Sequence, residues 1–125
     1  MTIELNTYQQ KEIIDITDRV SQELEGNGLV NIFVKHTTAG ISVADLDPGG
    51  DTDLINAITK LTPAANWIHP HDSDHYPDHF WSTLIGCSLS VPFENSRLIL
   101  GKWQRIILVE LDGPKTRQLL LTCIK

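Results

Sequence analysis

The sequence predicts an α+β fold: a single domain with a large, mostly antiparallel or mixed, sandwich-like β-sheet and two or three short helices. Many short runs combine β-branched residues with the alternation of apolar and polar positions that strands show. One central segment has apolar residues at helical spacing, and two others carry helix start or stop signals. After Gly86 the chain holds only strand-like runs separated by turns. Several strands with few helices favour the α+β class.

Eight runs have the composition of strands. They cover residues 3–8, 12–16, 29–35, 41–45, 88–92, 97–100, 105–111 and 116–124. Turn-forming residues separate the last four runs, at residues 94–96, 101–104 and 112–115. The run at residues 29–35 leaves His36 at or near a strand end, beside a loop that can carry chemistry.

Three segments predict helices. A short helix is expected over residues 17–25. Asp51 is a suitable N-cap for a second helix, which stops at Pro63 because proline cannot continue a helix. Residues 78–85 predict a third helix, with His79 in its first turn.

Length and composition exclude several classes of protein. A chain of 125 residues is the size of one domain, so residues 1–125 are expected to form one core. The net charge of −6 argues against a nucleic-acid partner. No apolar run approaches the roughly 20 residues of a membrane-spanning helix, so no membrane partner is expected. Two distant cysteines, Cys87 and Cys123, and the lack of a secretion signal favour the reducing cytoplasm. Cys87 is expected to be a buried, inert thiol.

The densest chemistry lies in residues 69–79, which hold four of the five histidines and three aspartates. Imidazole and carboxylate ligate divalent metals and carry protons near neutral pH. Nitrogen and oxygen donors without cysteine fit a catalytic zinc or another divalent metal better than a structural zinc. His71, His75 and His79 recur every four residues, but Pro77 disfavours a continuous helix through them. A polar surface loop of the same composition remains the alternative.

A second constellation follows the strand at residues 29–35. His36, Thr37 and Thr38, followed by Gly40, can place an imidazole, two hydroxyls and backbone N–H groups around an anion. A strand-turn-strand with a surface histidine is equally compatible. Basic residues in or beside the last turns are candidates for holding phosphate, although such residues are commonly only solvated. They are Lys102, Arg105, Lys115 and Arg117.

Taken in order, the motifs resemble a known family. They are His36-Thr-Thr-Ala-Gly-Ile-Ser-Val43, the acidic stretch through Asp51-Thr-Asp53, His79-Phe-Trp-Ser-Thr-Leu-Ile-Gly86, Ser88-Leu-Ser-Val-Pro92, Leu100-Gly-Lys-Trp-Gln104 and Glu110-Leu-Asp-Gly-Pro114. Over almost its whole length the chain is similar to the YjbQ-like family, whose members are described as secondary thiamine-phosphate synthase enzymes.

The resemblance implies a compact α+β domain that assembles as a homotrimer. It also implies a histidine pocket that can hold a divalent metal. The expected ion is zinc, or magnesium or manganese, and the sequence gives no sign of an organic cofactor. Matched to the family's motifs, His36, His69 and His79 belong to this pocket.

This chain departs from the family's pattern at two places. Ala44 and Asp45 stand where the family usually carries asparagine and glutamate, so Asp45 is expected to supply the carboxylate. Pro77 replaces a histidine of the family, so either His71 or His75 is the compensating ligand or the affinity for the metal is weaker.

The expected function is a metal-dependent enzyme that acts on a small phosphorylated metabolite, with thiamine-phosphate synthase as the named reaction. The candidate residues are His36, Asp45 and His79 for catalysis; Thr37, Thr38, Lys102 and Arg105 for phosphate; and His36, His69, His71, His75 and His79 for the metal. Two alternatives stay open. One is a metal-assisted phosphoester hydrolase, and the other is a non-catalytic trimer that binds a metal or an anion.

Overall fold

The computed structural model of the chain describes residues 1–69 and 73–125. Its strands are β1 (Thr2–Asn6), β2 (Glu12–Asp15), β3 (Gly28–Val34), β4 (Ala39–Ala44), β5 (Ser88–Glu94), β6 (Arg97–Leu98), β7 (Arg105–Glu110) and β8 (Thr116–Ile124). Its helices are α1 (Thr17–Ser21), α2 (Gly50–Leu61) and α3 (Tyr76–Ile85), and a 3₁₀ turn at Ser73–His75 leads directly into α3. His71, one of the predicted metal ligands, lies outside the described residues.

The strands form two antiparallel sheets. One has the order β1-β8-β3-β5-β6 and the other the order β2-β7-β4. The predicted α+β class, with antiparallel strands and three helices, is confirmed. The sequence could not show that the strands divide between two sheets, because that division depends on which distant strands pair.

The core lies between the two sheets. It includes Ile3, Val30, Ile32, Val34, Ile41, Ile106, Leu108, Leu119 and Leu121. Strand β7 is buried on both faces, since Ile107 and Val109 pack on the opposite side with Ile58 of α2. The molecule therefore has three layers: the five-stranded sheet, the three-stranded sheet, and helices α2 and α3. Burying each large apolar side chain contributes about 1.5–3 kcal/mol.

Helices α1 and α2 differ from the prediction at their ends. Helix α1 was expected to reach residue 25 but ends at Ser21, because Glu23 N–H and Leu24 N–H bond three residues back in a tighter turn. Gly49, with φ of 89°, takes the N-cap position of α2 that was predicted for Asp51. The carboxylate of Asp51 instead lies in the first turn, where it complements the helix dipole. As predicted, α2 ends before Pro63.

Helix α3 begins earlier than predicted, and Pro77 is the reason. Pro77 lies in the first turn, where a helix needs no backbone N–H, so it helps to start the helix instead of breaking it. His75 and His79 consequently lie on successive turns. Gly86 ends the helix with φ of 99°. No helix within residues 1–69 and 73–125 is long and apolar enough to cross a membrane.

Candidate functional site

A pocket of about 540 Å³ opens between α3 and the loop that follows β3. Its lining residues are His36, Thr37, His69, Tyr76, His79, Ser82, Thr83, Gly86 and Cys87. The helical period places residues three and four apart on one face, which explains the contribution of α3. The structure thus brings together His36, Thr37, His69 and His79 from three separate segments of the chain.

The orientation of His79 is set by the backbone of the loop after β3. Its Nδ1 lies 3.0 Å from the carbonyl oxygen of Thr37. A carbonyl can only accept a hydrogen bond, so Nδ1 carries the proton of the neutral ring and Nε2 keeps the lone pair. Such an imidazole can bind a metal ion or accept a proton through Nε2, with its ring held by the bond at the other nitrogen.

Two further imidazoles surround His79. The ring of His69 is stacked on it with centroids 5.0 Å apart, and the ring of His75 stands perpendicular to it at 4.9 Å. Imidazoles that share a tetrahedral zinc, with bonds of about 2 Å, have centroids about 5 Å apart. The centroid spacing is thus that of two ligands of one ion, but within residues 1–69 and 73–125 the three imidazoles do not form a group whose ligand atoms all lie within 4.8 Å of one another.

His75 also belongs to a second group of ligands. Its Nδ1 lies 3.2 Å from Asp78 Oδ2, and its Nε2 lies 3.6 Å from Asp112 Oδ2. Each of the three side chains offers a ligand atom, and these atoms lie within 4.8 Å of one another. Lys11 and Lys115 already pair with the two carboxylates, at 3.0 and 2.5 Å. The group is complete as an ion-pair network, and a metal would have to compete with both lysines.

His36 is fixed by the sheet. Its Nε2 accepts a hydrogen bond of 2.8 Å from the backbone N–H of Gln118 in β8. Burial lowers the pKa of His36, and the positive charge of Arg117 lowers it further, against the opposing effect of Glu110. The ring is therefore held in its neutral form.

A buried ion pair lies behind this loop. Arg117 donates from Nε and Nη2 to the two carboxylate oxygens of Glu110, at 2.8 and 2.5 Å, and both side chains are at most 3% exposed. Arg117 Nη2 also donates to the carbonyl and hydroxyl oxygens of Thr38, at 3.0 and 2.9 Å. Arg117 is thus not the solvated or phosphate-binding residue of the sequence prediction, since it is enclosed between the sheets. Thr38 faces this pair and is not among the residues that line the pocket.

The pairing of β4 with β7 separates other predicted residues from the pocket. Ala39 is opposite Glu110 at the end beside the pocket, whereas Ala44 is opposite Arg105 at the other end. Five residues at about 3.4 Å each place these ends about 17 Å apart. Asp45 directly follows Ala44, so it lies with Arg105 at the far end.

The two basic residues predicted to hold phosphate have other neighbours. Arg105 donates to Asp15 Oδ2 at 2.7 Å and to Asp18 Oδ1 at 3.3 Å. The ammonium of Lys102 lies 4.8 Å from the ring centroid of Trp103, in the turn before β7. Asp45, Lys102 and Arg105 are not brought together with the histidines.

Five residues of the pocket were missed by the sequence analysis: Tyr76, Ser82, Thr83, Gly86 and Cys87. The first three could have been found, because they lie three or four positions from His79 on the same helix. Ser82 also ties α3 to β4 by donating to the carbonyl of Ala39 at 2.7 Å. Cys87, expected to be buried and inert, is a half-buried free thiol at the pocket wall.

Comparison with known proteins gives consistent results. The family model described as UPF0047 protein YjbQ-like matches residues 1–125. A UPF0047 protein of Archaeoglobus fulgidus is 36% identical over 126 residues, which cover 99% of this chain and 100% of that protein. The UPF0047 protein YugU of Bacillus subtilis is 36% identical over 121 residues, covering 93% of this chain and 92% of its own.

Solved structures show the same fold. A hypothetical protein from Aeropyrum pernix K1 superposes with a TM-score of 0.90 at 33% identity, covering 99% of this chain and 96% of its own. An uncharacterized conserved protein of the YjbQ/UPF0047 family from Clostridium acetobutylicum gives a TM-score of 0.89 at 31% identity, with 99% of both chains covered.

Proposed function

The chain belongs to the UPF0047 protein YjbQ-like family, and we propose that it is a metal-dependent enzyme acting on a small phosphorylated metabolite. The observation that carries this proposal is the hydrogen bond between His79 Nδ1 and the carbonyl of Thr37. It leaves the Nε2 lone pair of His79 for a ligand, beside the stacked ring of His69. The pocket volume of about 540 Å³ suits a small molecule.

His69 and His79 are the proposed ligands of a divalent ion. Imidazole nitrogens without a thiolate suit zinc, and carboxylates nearby are compatible with manganese or magnesium. His75 is the candidate third imidazole, but it would have to leave Asp78, with which it pairs at 3.2 Å. A bound ion would supply Lewis-acid stabilisation of the phosphate oxygens.

Thiamine-phosphate synthase is the named reaction, and it comes from the family resemblance. The bond between the pyrimidine methylene carbon and its diphosphate oxygen breaks, and the thiazole nitrogen forms the new bond to that carbon. Pyrophosphate leaves with the electron pair. The pocket must therefore stabilise negative charge that grows on the leaving group, which suits imidazole and hydroxyl groups at its wall.

The direct test is incubation of untagged protein with both precursors and zinc, manganese or magnesium, followed by chromatography of thiamine phosphate. His79→Ala should lower kcat about 10²-fold or more, because ligand and proton-transfer roles are both lost. Glu25→Gln, an exposed change in the loop after α1, is the matched control and should retain wild-type turnover. A folded, metal-loaded wild type that forms no thiamine phosphate would refute the named reaction.

Metal-assisted phosphoester hydrolysis is the second candidate. It is favoured by the same free lone pair, since Nε2 of His79 can accept a proton from an attacking water. Release of phosphate from a panel of small phosphoesters, lost in His79→Ala, would select this reaction. Metal binding without turnover of any substrate in either assay would instead select a non-catalytic binding protein.

We also propose a cytoplasmic homotrimer, as the resemblance implies, with contacts through the outer face of the five-stranded sheet. On this face Phe33 pairs with Leu120 and Leu29 pairs with Ile124. The four side chains are between 36% and 61% exposed, which is high for large apolar residues on a sheet. Exposed apolar groups that lie next to one another are typical of association surfaces.

A further inference from the structure

His36 and His79 line the same pocket but differ in which ring nitrogen is bonded to the protein backbone. We infer that His36 is a permanent hydrogen-bond donor that recognises an anionic oxygen of the ligand, and that it is neither a metal ligand nor a general base. The identity of the ligand as a phosphate rests on the proposed function. The state of the His36 ring does not.

The donor role follows from the partner of Nε2. The N–H of Gln118 can only donate, so the 2.8 Å bond requires a lone pair on Nε2 of His36. A neutral imidazole has one proton, and it must then be on Nδ1. His79 also carries its proton on Nδ1. There the N–H donates to the carbonyl of Thr37, so it is the lone pair on Nε2 that is left for a ligand.

The strand pairing around Gln118 holds its backbone N–H in place against Nε2 of His36. Gln118 lies in β8, between β1 and the end of β3, where its residue partner in β1 is Glu4. Its carbonyl accepts from the backbone N–H of Lys35 at 3.5 Å. The ring of His36 thus continues the β3–β8 ladder by one bond after the strand has ended. The backbone of Gln118 cannot turn away without breaking the pairing on both sides.

The other roles of His36 conflict with this bond. A metal at Nε2 would displace the N–H of Gln118 and leave a partly buried donor without an acceptor. Nδ1 cannot bind a metal or accept a proton either, because in this neutral ring Nδ1 already carries the proton and the only available lone pair is on Nε2. Burial and the charge of Arg117 lower the pKa of the ring, which also disfavours a second proton.

The remaining proton is directed to a ligand. His36, Thr37 and His79 all line the pocket. Within residues 1–69 and 73–125 no acceptor takes the Nδ1 proton of His36. An oxygen with negative charge is the acceptor that gives a neutral donor its strongest hydrogen bond. The pocket then has a donor side at His36 and a lone-pair side at His79.

The first test is long-range proton–nitrogen NMR of uniformly ¹⁵N-labelled wild type. The inference predicts that His36 has a protonated Nδ1 and an unprotonated Nε2. A His36 ring protonated on Nε2 would overturn it. This result does not depend on any variant folding or on any enzymatic activity.

The second test measures inorganic phosphate binding by calorimetry and metal content by elemental analysis in wild type, His36→Ala and His36→Asn. The amide nitrogen of asparagine is bonded to Cγ, as Nδ1 is in histidine. His36→Asn can therefore keep a hydrogen-bond donor at this position. We expect phosphate affinity to fall about tenfold or more in His36→Ala and to be partly restored in His36→Asn, with metal content unchanged in both.

Loss of metal in a folded His36→Ala, or wild-type phosphate affinity in that variant, would overturn the inference. A wild type that has the predicted ring state but binds no phosphate would overturn the anion-binding role. A wild type that binds phosphate through His36 but shows no metal-dependent turnover would contradict the proposed function alone.

Discussion

Arg117 and Glu110 connect the interior of the molecule to the pocket. The guanidinium bridges the carboxylate of Glu110 and both oxygens of Thr38, and Thr38 is the neighbour of the residue whose carbonyl orients His79. Two charges at 3% and 0% exposure are stable there only because each satisfies the other. At the residue scale, therefore, a buried ion pair holds the loop that shapes the pocket.

Removing one partner of this pair should be costly. Arg117→Met should lower the free energy of unfolding by about 3–5 kcal/mol, because it leaves an uncompensated carboxylate inside the protein. Urea denaturation followed by circular dichroism measures the change. Arg97→Met, at an exposed position of β6, is the matched control and should stay within about 0.5 kcal/mol of wild type. Equal stability of the two variants would show that the pair does not support the fold.

The same pair predicts a dependence on pH. Burial alone would raise the pKa of Glu110, but hydrogen bonds from Arg117, the Asp112 N–H and Thr7 hold it below its usual value of 4.5. A carboxylate with a lowered pKa contributes stability above 4.5 that is lost as the pH falls through its folded-state pKa.

Glu110→Gln should therefore be less stable than wild type at pH 7, and the difference in unfolding free energy should shrink as the pH falls from about 5 to 3. Urea denaturation across this series gives the difference directly. A difference that stays constant or widens toward low pH would mean that the carboxylate is not held in its charged form by the fold.

Gly86 sets where α3 ends and where the adjoining wall of the pocket begins. Its φ of 99° and ψ of 161° belong to a region that residues with a side chain avoid, and its carbonyl accepts from Ile41 N–H at 3.0 Å. The turn brings Cys87 to the pocket immediately after the helix. A change at this residue should therefore affect both stability and the site.

Gly86→Ala should cost about 1–3 kcal/mol of unfolding free energy, because the strained conformation is kept only by the surrounding contacts. Gly50→Ala, in the first turn of α2 without a positive φ, is the control and should stay within about 1 kcal/mol of wild type. Thermal and urea denaturation measure both. If the two variants were equally stable, the positive φ of Gly86 would not constrain the chain.

The elements show what local patterns can predict. All eight strand-like runs are strands, because alternation and β-branched content reflect half-buried positions directly. Pro77 was expected just before the third helix but lies in its first turn, because the same residue breaks a helix in its interior and starts one in its first turn. Whether Pro77 breaks or starts the helix depends on where the helix begins, and this is set by the preceding 3₁₀ turn.

Local sequence patterns predicted only some of the residues of the site. His36, Thr37, His69 and His79 share a pocket, and the family resemblance had implied this for the three histidines. Asp45 and Arg105 were placed with them only by sequence motifs, whereas the register of β4 on β7 puts both at the opposite end. Arg117 was indistinguishable from other turn-proximal basic residues, because its burial depends on Glu110 across the sheets. Neither the register of paired strands nor the contacts between distant residues can be inferred from the composition of the chain or the spacing of its motifs.

In the part of the chain that the structure describes, the two sheets differ in what covers their outer faces. Helices α2 and α3 cover the three-stranded sheet, while the outer face of the five-stranded sheet exposes Phe33 and Leu120. This asymmetry supports the proposed trimer, since association would bury apolar area that folding leaves exposed.

Phe33→Glu should convert the proposed trimer to monomers at micromolar concentration, because it would bury a charge in each contact. Size-exclusion chromatography with light scattering gives the mass. Leu61→Glu makes the same kind of change at a 69% exposed position of α2 and should leave the assembly intact. A wild type that is already monomeric would contradict the proposed assembly.

We propose that His69 and His79 share a divalent ion and that His36 does not bind it. Elemental analysis of untagged wild type, His36→Ala, His69→Ala and His79→Ala, each shown to be folded, tests it most directly. We expect near-stoichiometric metal in wild type and in His36→Ala, and loss of metal in the other two. A folded wild type without metal, even after incubation with zinc, manganese or magnesium, would contradict this site, and so would retention of metal in His79→Ala.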